Sequence, residues 1–363
     1  MIKLFAVRKD DLHQTKFIDG PLPAGGTVLR VDHFALTANN ITYAAFGEAM
    51  AYWNFFPVND AGWGCIPMWG FGTVERTSAD GIAIGDRFYG YFPFASHLMV
   101  EPVHAGGSAF VDGAAHRQPM ARVYSQYVRT SADALYTPET EAEQMLLRPL
   151  FTTAFVIDDM LADNNYYGAK AVILSSASSK TSYATAFLLA RRGDIDVIGL
   201  TSKANKAFVE SLGCYSRVVA YEELTDLPAS VPVAYVDVAG NVKVRAAVHR
   251  HFGDALKLDC AVGATNWDQD RSATAEDLPG PKTTRFFAPT LIAKRTADWG
   301  AAGFQMKLVD AWHAFLARVT APKNPWLKVV RAFGPEAAAK TYQDVLDGRV
   351  PPVEGHILSL SQS

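Results

Sequence analysis

Apolar residues along this chain follow two different periods, and the change between them falls near residue 137. Before about Val128, apolar and polar positions alternate in short runs such as TVLRVDHFAL, GFGTVERT, GDRFYGYF and ASHLMVEPV, broken by clusters of Gly, Pro, Asn and Asp. Alternation bounded by turn residues predicts irregular β structure. From Glu139 to Tyr166 the spacing becomes helical. Pro149 lacks an N–H and clashes with the preceding turn, so two helices separated near Arg148-Pro149 are expected. Strand and helix signals then alternate: KAVILSS, TSYATAFLLARR, IDVIGLTS, KANKAFVESLG, RVVAY, VAYVDVAG, KVRAAVHRHFG and KLDCAVGAT. That order predicts an α/β unit with a doubly wound parallel sheet and right-handed crossovers. The polar stretch NWDQDRSATAEDLPGPKTT reads as a long loop over a site or a link back to the first part. One long helix, Phe304 to Arg318, and a strand, HILSL, are expected after it.

With 363 residues, 49% of them apolar, the chain is long enough for two ordinary domains with sizeable cores. A net charge of -3 and the lack of dense Lys/Arg runs argue against a nucleic-acid partner and for a small molecule. Cys65, Cys214 and Cys260 are isolated and lack CxxC spacing. They build neither a disulfide framework nor a cysteine zinc cluster, which fits a reducing cytoplasm. No apolar stretch reaches the roughly 18 residues of a membrane span, and the N-terminal run is too short for an export signal, so neither membrane insertion nor export is expected.

In a doubly wound sheet the ligand lies outside the carboxyl ends of the strands. The first such turn here is Ser175-Ser176-Ala177-Ser178-Ser179-Lys180-Thr181. Dinucleotide turns are usually glycine-rich, so that the backbone approaches the pyrophosphate and the helix N-terminus faces it. This turn has no glycine, but its hydroxyls and one ammonium suit phosphate oxygens. The plainer alternative is that Ser178 or Ser179 only caps the helix. At the second strand tip, Thr201, Ser202 and Lys203, with Asn205 and Lys206 nearby, stand where an NAD site carries a carboxylate, so NADP(H) is expected in preference to NAD(H). Lys203 and Lys206 also read as a solvated helix start. Tyr221, Asp237, Gly240, Gly263, Ala264 and Thr265 at the later tips complete the expected cleft, the small residues leaving room for the ligand. Asp237 alternatively caps a helix.

Over nearly its whole length the chain resembles the medium-chain dehydrogenase/reductase superfamily, in its zinc-independent, quinone-reductase-like branch. The resemblance rests on Ala38-Asn39-Asn40-Ile41-Thr42-Tyr43, on GFGTVERTSADGIAIGDRFYGYFPFASHLMV, and on Thr153-Ala154. It implies a GroES-like β-rich catalytic domain formed by residues 1–135 and 285–363, and a Rossmann-type NADP-binding domain at 136–284. It further implies a homodimer and places Thr153 toward the nicotinamide. SSASSKTS departs from the family's glycine-rich turn, which marks a divergent subfamily. ALTANNITYAAFG and MWGFGTVERT lack the Cys and His-Glu pair of zinc-dependent members, so no metal is expected.

Reduction of a quinone, enone or other conjugated carbonyl without a metal needs a group that stabilises the developing oxyanion. Tyr43 is the first choice for that donor, and Asn40 for orienting cofactor or substrate. A tyrosine in an apolar segment also commonly fills a core. The aromatic run Tyr52-Trp53-Asn54-Phe55-Phe56, with Trp63 and Trp69, suits either a flat pocket or a core. Two rival functions remain. A nucleotide hydrolase is suggested by Ser179-Lys180-Thr181 and VAYVD, although both P-loop glycines are missing. A non-catalytic NADPH sensor that recruits a partner is the other.

Overall fold

The structure, a computed structural model, describes residues 1–22, 24–263 and 278–361. It divides into two compact units, Met1–Leu146 with Leu327–Ser363, and Leu147–Trp326. The chain therefore leaves the first unit once and returns to it. The return falls at 326/327, later than residue 285, because the long helix Ala288–Val319 belongs to the second unit.

The first unit is β-rich. Among the described residues, a nine-stranded sheet is built around Thr27–Leu36, Pro67–Arg76 and Arg87–Pro93, the runs whose alternation was legible. Thr27–Leu36 is paired on its other side by Glu354–Ser359, with His356 opposite Leu36. Tight register shows at Gly90, where an added Cβ would lie 2.4 Å from the Tyr127 ring. Two elements absent from the sequence reading follow the return. Lys328–Phe333 is an edge strand parallel to Glu354–Ser359, and Pro335–Leu346 is a helix starting after Gly334.

The second unit is α/β. Its strands are β1 (Ala171–Leu174), β2 (Asp196–Thr201), β3 (Arg217–Ala220), β4 (Val233–Asp237), β5 (Leu256–Ala261) and β6 (Thr284–Arg285). Among the described residues they form one sheet in the order β3-β2-β1-β4-β5-β6, every pair parallel. The order reverses beside β1, which is the switch point where such sheets take ligands. β1 and β4 are buried at every residue, as strands covered on both faces must be. The crossovers are α1 (Lys180–Arg192), α2 (Lys206–Leu212) and α3 (Val242–Phe252). Gly193 and Gly213 end the first two in left-handed conformation. Ile173, Leu200, Val219, Tyr235, Val248 and Phe252 share one core on a single face of the sheet.

Two helix expectations need correction. Glu141–Asp163 is one helix containing Pro149, not two. A single missing N–H removes one rung, while buried Phe151, Ala154, Ile157 and Leu161 keep the downstream turns in register. The late helix begins at Ala288, with a break at Gly300 (φ 73°), and the expected Phe304–Arg318 is only its second half. That half carries the apolar stripe Phe304, Leu308, Trp312, Phe315 and Val319, whereas Arg295 is the one buried residue before the break.

Candidate functional site

In the second unit, β1 delivers the serine-rich turn to the switch point. Ser179 caps α1, its Oγ accepting from the Ser182 N–H at 3.3 Å. The capping alternative is thus correct for Ser179. Ser176 has φ 49°, the left-handed region that glycine normally occupies. Its N–H donates to the Tyr221 hydroxyl at 3.1 Å. Ala177 is buried, its N–H bonded to Leu200 O at 3.1 Å and its carbonyl to the Tyr215 hydroxyl at 2.8 Å. Asn205, from the second strand tip, donates to Ser178 Oγ at 3.2 Å. Ser176 with Tyr221, and Ser178 with Asn205, are therefore brought into contact around this turn.

Other expected residues have different duties. Ser175 and Asp237 are buried and bound to each other, Ser175 Oγ donating to Asp237 Oδ1 at 2.8 Å. Ser175 Oγ also accepts the Val238 and Ala239 N–H groups, each at 2.9 Å. Both side chains are engaged in tying β1 to β4, which corrects the expectation that they contact a ligand. Gly240, at φ 65°, donates its N–H to Asp237 Oδ1 at 3.0 Å. An added Cβ at Gly263 would meet Val238 O at 2.5 Å. These glycines serve turn shape and close backbone approach rather than leaving room for a ligand. Thr153 Oγ1 donates to the Pro149 carbonyl at 3.2 Å inside its own helix. Thr181 and Thr201 are buried. Ala264 and Thr265 lie outside the described residues.

Three ammonium groups belong to the turn and the second tip. Lys203 is exposed. Lys206 is bound to Glu223 at 2.6 Å, which removes it from the expected phosphate set. Lys180 opens α1, is half-buried, and burial lowers its ammonium to about 8. The nearest strand-tip carboxylate, Asp237, is neutralised by Arg245 Nη2 at 2.5 Å. Arg245 Nε lies 3.7 Å from Asp259, which takes His249 Nε2 at 3.0 Å. His249 Nδ1 donates to Pro279 O at 2.8 Å, and although burial lowers its pKa, the bonds to Asp259 and Pro279 raise it on balance. Sequence reasoning missed this buried network. The available signal was a carboxylate at an inward position of each of two strands, VAYVD and LKLDCA, with Arg245 and His249 one turn apart on α3.

The strained serine gives a direct prediction. Ser176→Gly should raise unfolding stability by about 0.5–1 kcal/mol, because relief of the left-handed penalty exceeds glycine's extra chain entropy. Denaturant titration checks it, and a fall in the midpoint would show that the serine conformation is not strained.

In the first unit, Ala38–Ala45 is a helix carrying both expected catalytic residues. Asn40 closes a capping box, its Oδ1 accepting the Thr37 N–H at 2.8 Å. Its Nδ2 donates to Pro67 O at 3.0 Å and lies 3.4 Å from Met68 Sδ. With all its polar atoms engaged inside this unit, Asn40 is a capping residue rather than an orienting one. Tyr43 is buried in an aromatic cluster, its ring 4.5 Å from Tyr52 and 5.8 Å from Tyr91. Its hydroxyl accepts from Trp69 Nε1 at 3.5 Å. Burial raises this phenol far above its ordinary pKa, so it stays a neutral O–H donor. Trp69 and Tyr124 are the half-buried members of the cluster, which gives it an open side. Behind it, fully buried Arg117 bonds Asp112 at 2.8 Å and the Tyr127 hydroxyl at 3.0 Å, and lies 4.8 Å over Phe56. No group of three or more His, Cys, Asp or Glu side chains arranged for a metal ion occurs among the described residues.

Residues 34–351 match the family described as "Protein of unknown function (DUF2855)". The chain belongs to the DUF2855 family. No curated protein matches it. Among solved structures, this DUF2855 chain is similar to CurA from Vibrio vulnificus in complex with NADPH, at 14% identity and a TM-score of 0.60, covering 100% of this chain and 99% of that one. It is similar to the yhdH oxidoreductase from Salmonella enterica in complex with NADP, at 15% identity and TM-score 0.54, over 99% of both chains. The quinone oxidoreductase from Coxiella burnetii gives 14% identity, TM-score 0.52 and 98% of both chains. At such identities the likeness establishes the fold, and the resemblance to medium-chain dehydrogenases/reductases holds at that level.

Proposed function

We propose that this DUF2855 protein is an NADPH-dependent, zinc-independent reductase of a quinone, enone or other conjugated carbonyl. The observation that carries the reading is the strand order β3-β2-β1-β4-β5-β6 with hydroxyls and ammonium groups, and no unpaired carboxylate, at the tips of β1 and β2. The residues present fit a phosphorylated dinucleotide. Lys180 and the first N–H groups of α1 would hold the pyrophosphate, Ser178 would add a hydroxyl, and Lys203 with Ser202 would hold the 2'-phosphate. Arg245 cancels the buried charge of Asp237 that would otherwise repel the phosphates. The similar folds crystallised with NADPH or NADP support the same cofactor.

When bound, NADPH supplies a hydride. Tyr43 donates its phenolic hydrogen to the oxygen on which negative charge develops, and the surrounding rings exclude water. Trp69 Nε1 donates to that hydroxyl, and Asn39 and Tyr91 also hydrogen-bond it, so the phenol is held in place by its neighbours. The rival hydrolase is disfavoured by Arg245, which occupies the Asp237 oxygen that a magnesium-binding strand would offer.

Fluorescence titration with NADPH, NADH and ATP tests the reading, and NADPH should bind most tightly. Lys203→Ala should weaken NADPH by about tenfold or more while changing NADH by less than about twofold, since a charged contact is worth roughly 1.5–3 kcal/mol. Equal losses for both cofactors would remove the 2'-phosphate from Lys203.

A further inference from the structure

We propose that Arg245 is a positioning residue for nucleotide binding. Through Asp237 and Ser175 it holds a glycine-free turn in a backbone shape that serine disfavours. The inference rests on the reading of this turn as the dinucleotide site.

A left-handed residue other than glycine persists only where its surroundings over-determine it. Ser176 stands in that conformation one residue beyond Ser175. Ser175 is fixed by more bonds than any other residue of the turn. Its Oγ donates to Asp237 and accepts from Val238 and Ala239, and its carbonyl accepts from Ser182 Oγ at 2.7 Å. The far end of this ladder is ionic. Asp237 is fully buried, so its carboxylate needs a compensating charge, and Arg245 Nη2 supplies it. Asp259, also fully buried, lies 3.7 Å from Arg245 Nε and 3.0 Å from His249 Nε2, with Thr283 Oγ1 donating to it. Two carboxylates, Arg245 and His249 thus form one buried set, with Arg245 in reach of both Asp237 and Asp259. Without Arg245, the buried carboxylate of Asp237 loses its compensating charge, and the acceptor that orients Ser175 is no longer held in place. The turn then relaxes toward a shape easier for Ser176. Glycine makes such turns without help; here a side-chain ladder does so, and the dependence on Arg245 is conditional on serine at 176.

The experiment uses the full chain and fluorescence titration with NADPH. Arg245→Met should weaken NADPH by about tenfold or more, and Ser176→Gly in that background should recover most of the loss. An equal deficit with and without Ser176→Gly overturns the proposal. If Arg245→Met does not fold, Asp237→Asn/Arg245→Met is compared with Asp237→Val/Arg245→Met, both free of the buried charge. The first keeps an acceptor for Ser175 and should bind about tenfold more tightly; equal affinities overturn the proposal. A wild-type chain that ignores NADPH overturns the nucleotide reading instead. The ladder is then judged on thermal midpoints, which Ser176→Gly must raise more in Arg245→Met than in wild type. Equal increments overturn it.

Discussion

Tyr43→Phe is expected to lower turnover of an enone or quinone by about two orders of magnitude, at unchanged NADPH affinity. The phenyl ring keeps the contacts with Tyr52 and Tyr91, so packing survives. Only the O–H is lost, and with it the donor for the developing oxyanion. The half-buried Trp69 can give its N–H to water in the variant. Stopped-flow measurement of NADPH oxidation separates the chemical step from binding. Turnover equal to wild type would place the proton donor elsewhere. NADPH binding with no turnover in either protein would favour the non-catalytic sensor.

Lys180→Ala is expected to weaken NADPH and NADH together by about 10–100-fold, because the pyrophosphate is common to both. A pH dependence tests the role of this lysine directly. Burial lowers the Lys180 ammonium to about 8, so the charge is present below that pH and lost above it. NADPH affinity should be flat between about pH 7 and 8 and fall as pH rises further, since the pyrophosphate and the 2'-phosphate, whose second pKa is about 6, are both ionised over that range. Lys180→Arg, whose guanidinium stays charged, should abolish that fall. An affinity that is level through pH 9 in wild type would point Lys180 away from the phosphates. Isothermal titration at several pH values makes the measurement.

The strand and helix alternation from 171 to 261 was legible because buried parallel strands leave short continuous apolar runs, AVIL and VAYVD, bounded by turn residues. The place of the turn was legible for the same reason. What its side chains do was not. Whether Ser175 meets a ligand or Asp237 depends on the register that sets Leu174 opposite Val236, and that register comes from tertiary packing. Asn40 illustrates a different limit. An asparagine three residues after a threonine reads equally well as a cap and as a site residue, and only the neighbouring Pro67 carbonyl decides. Pro149 misled because a proline's local cost is real but smaller than the packing that a 23-residue helix retains. Lys206, an adjunct to Lys203 in the sequence, is taken by Glu223, a partner that only the folded chain brings to it.

The excursion of the chain out of the β-rich unit and back orders its biogenesis. Strand Glu354–Ser359 completes the sheet beside Thr27–Leu36, roughly 320 residues after that strand leaves the ribosome, as the pairing of Leu36 with His356 requires. The α/β unit is whole once Trp326 has emerged, so it closes first, while the earlier strands wait with an open edge. A nascent chain stalled before residue 354 would expose that edge, and chaperone capture is the hazard to look for there.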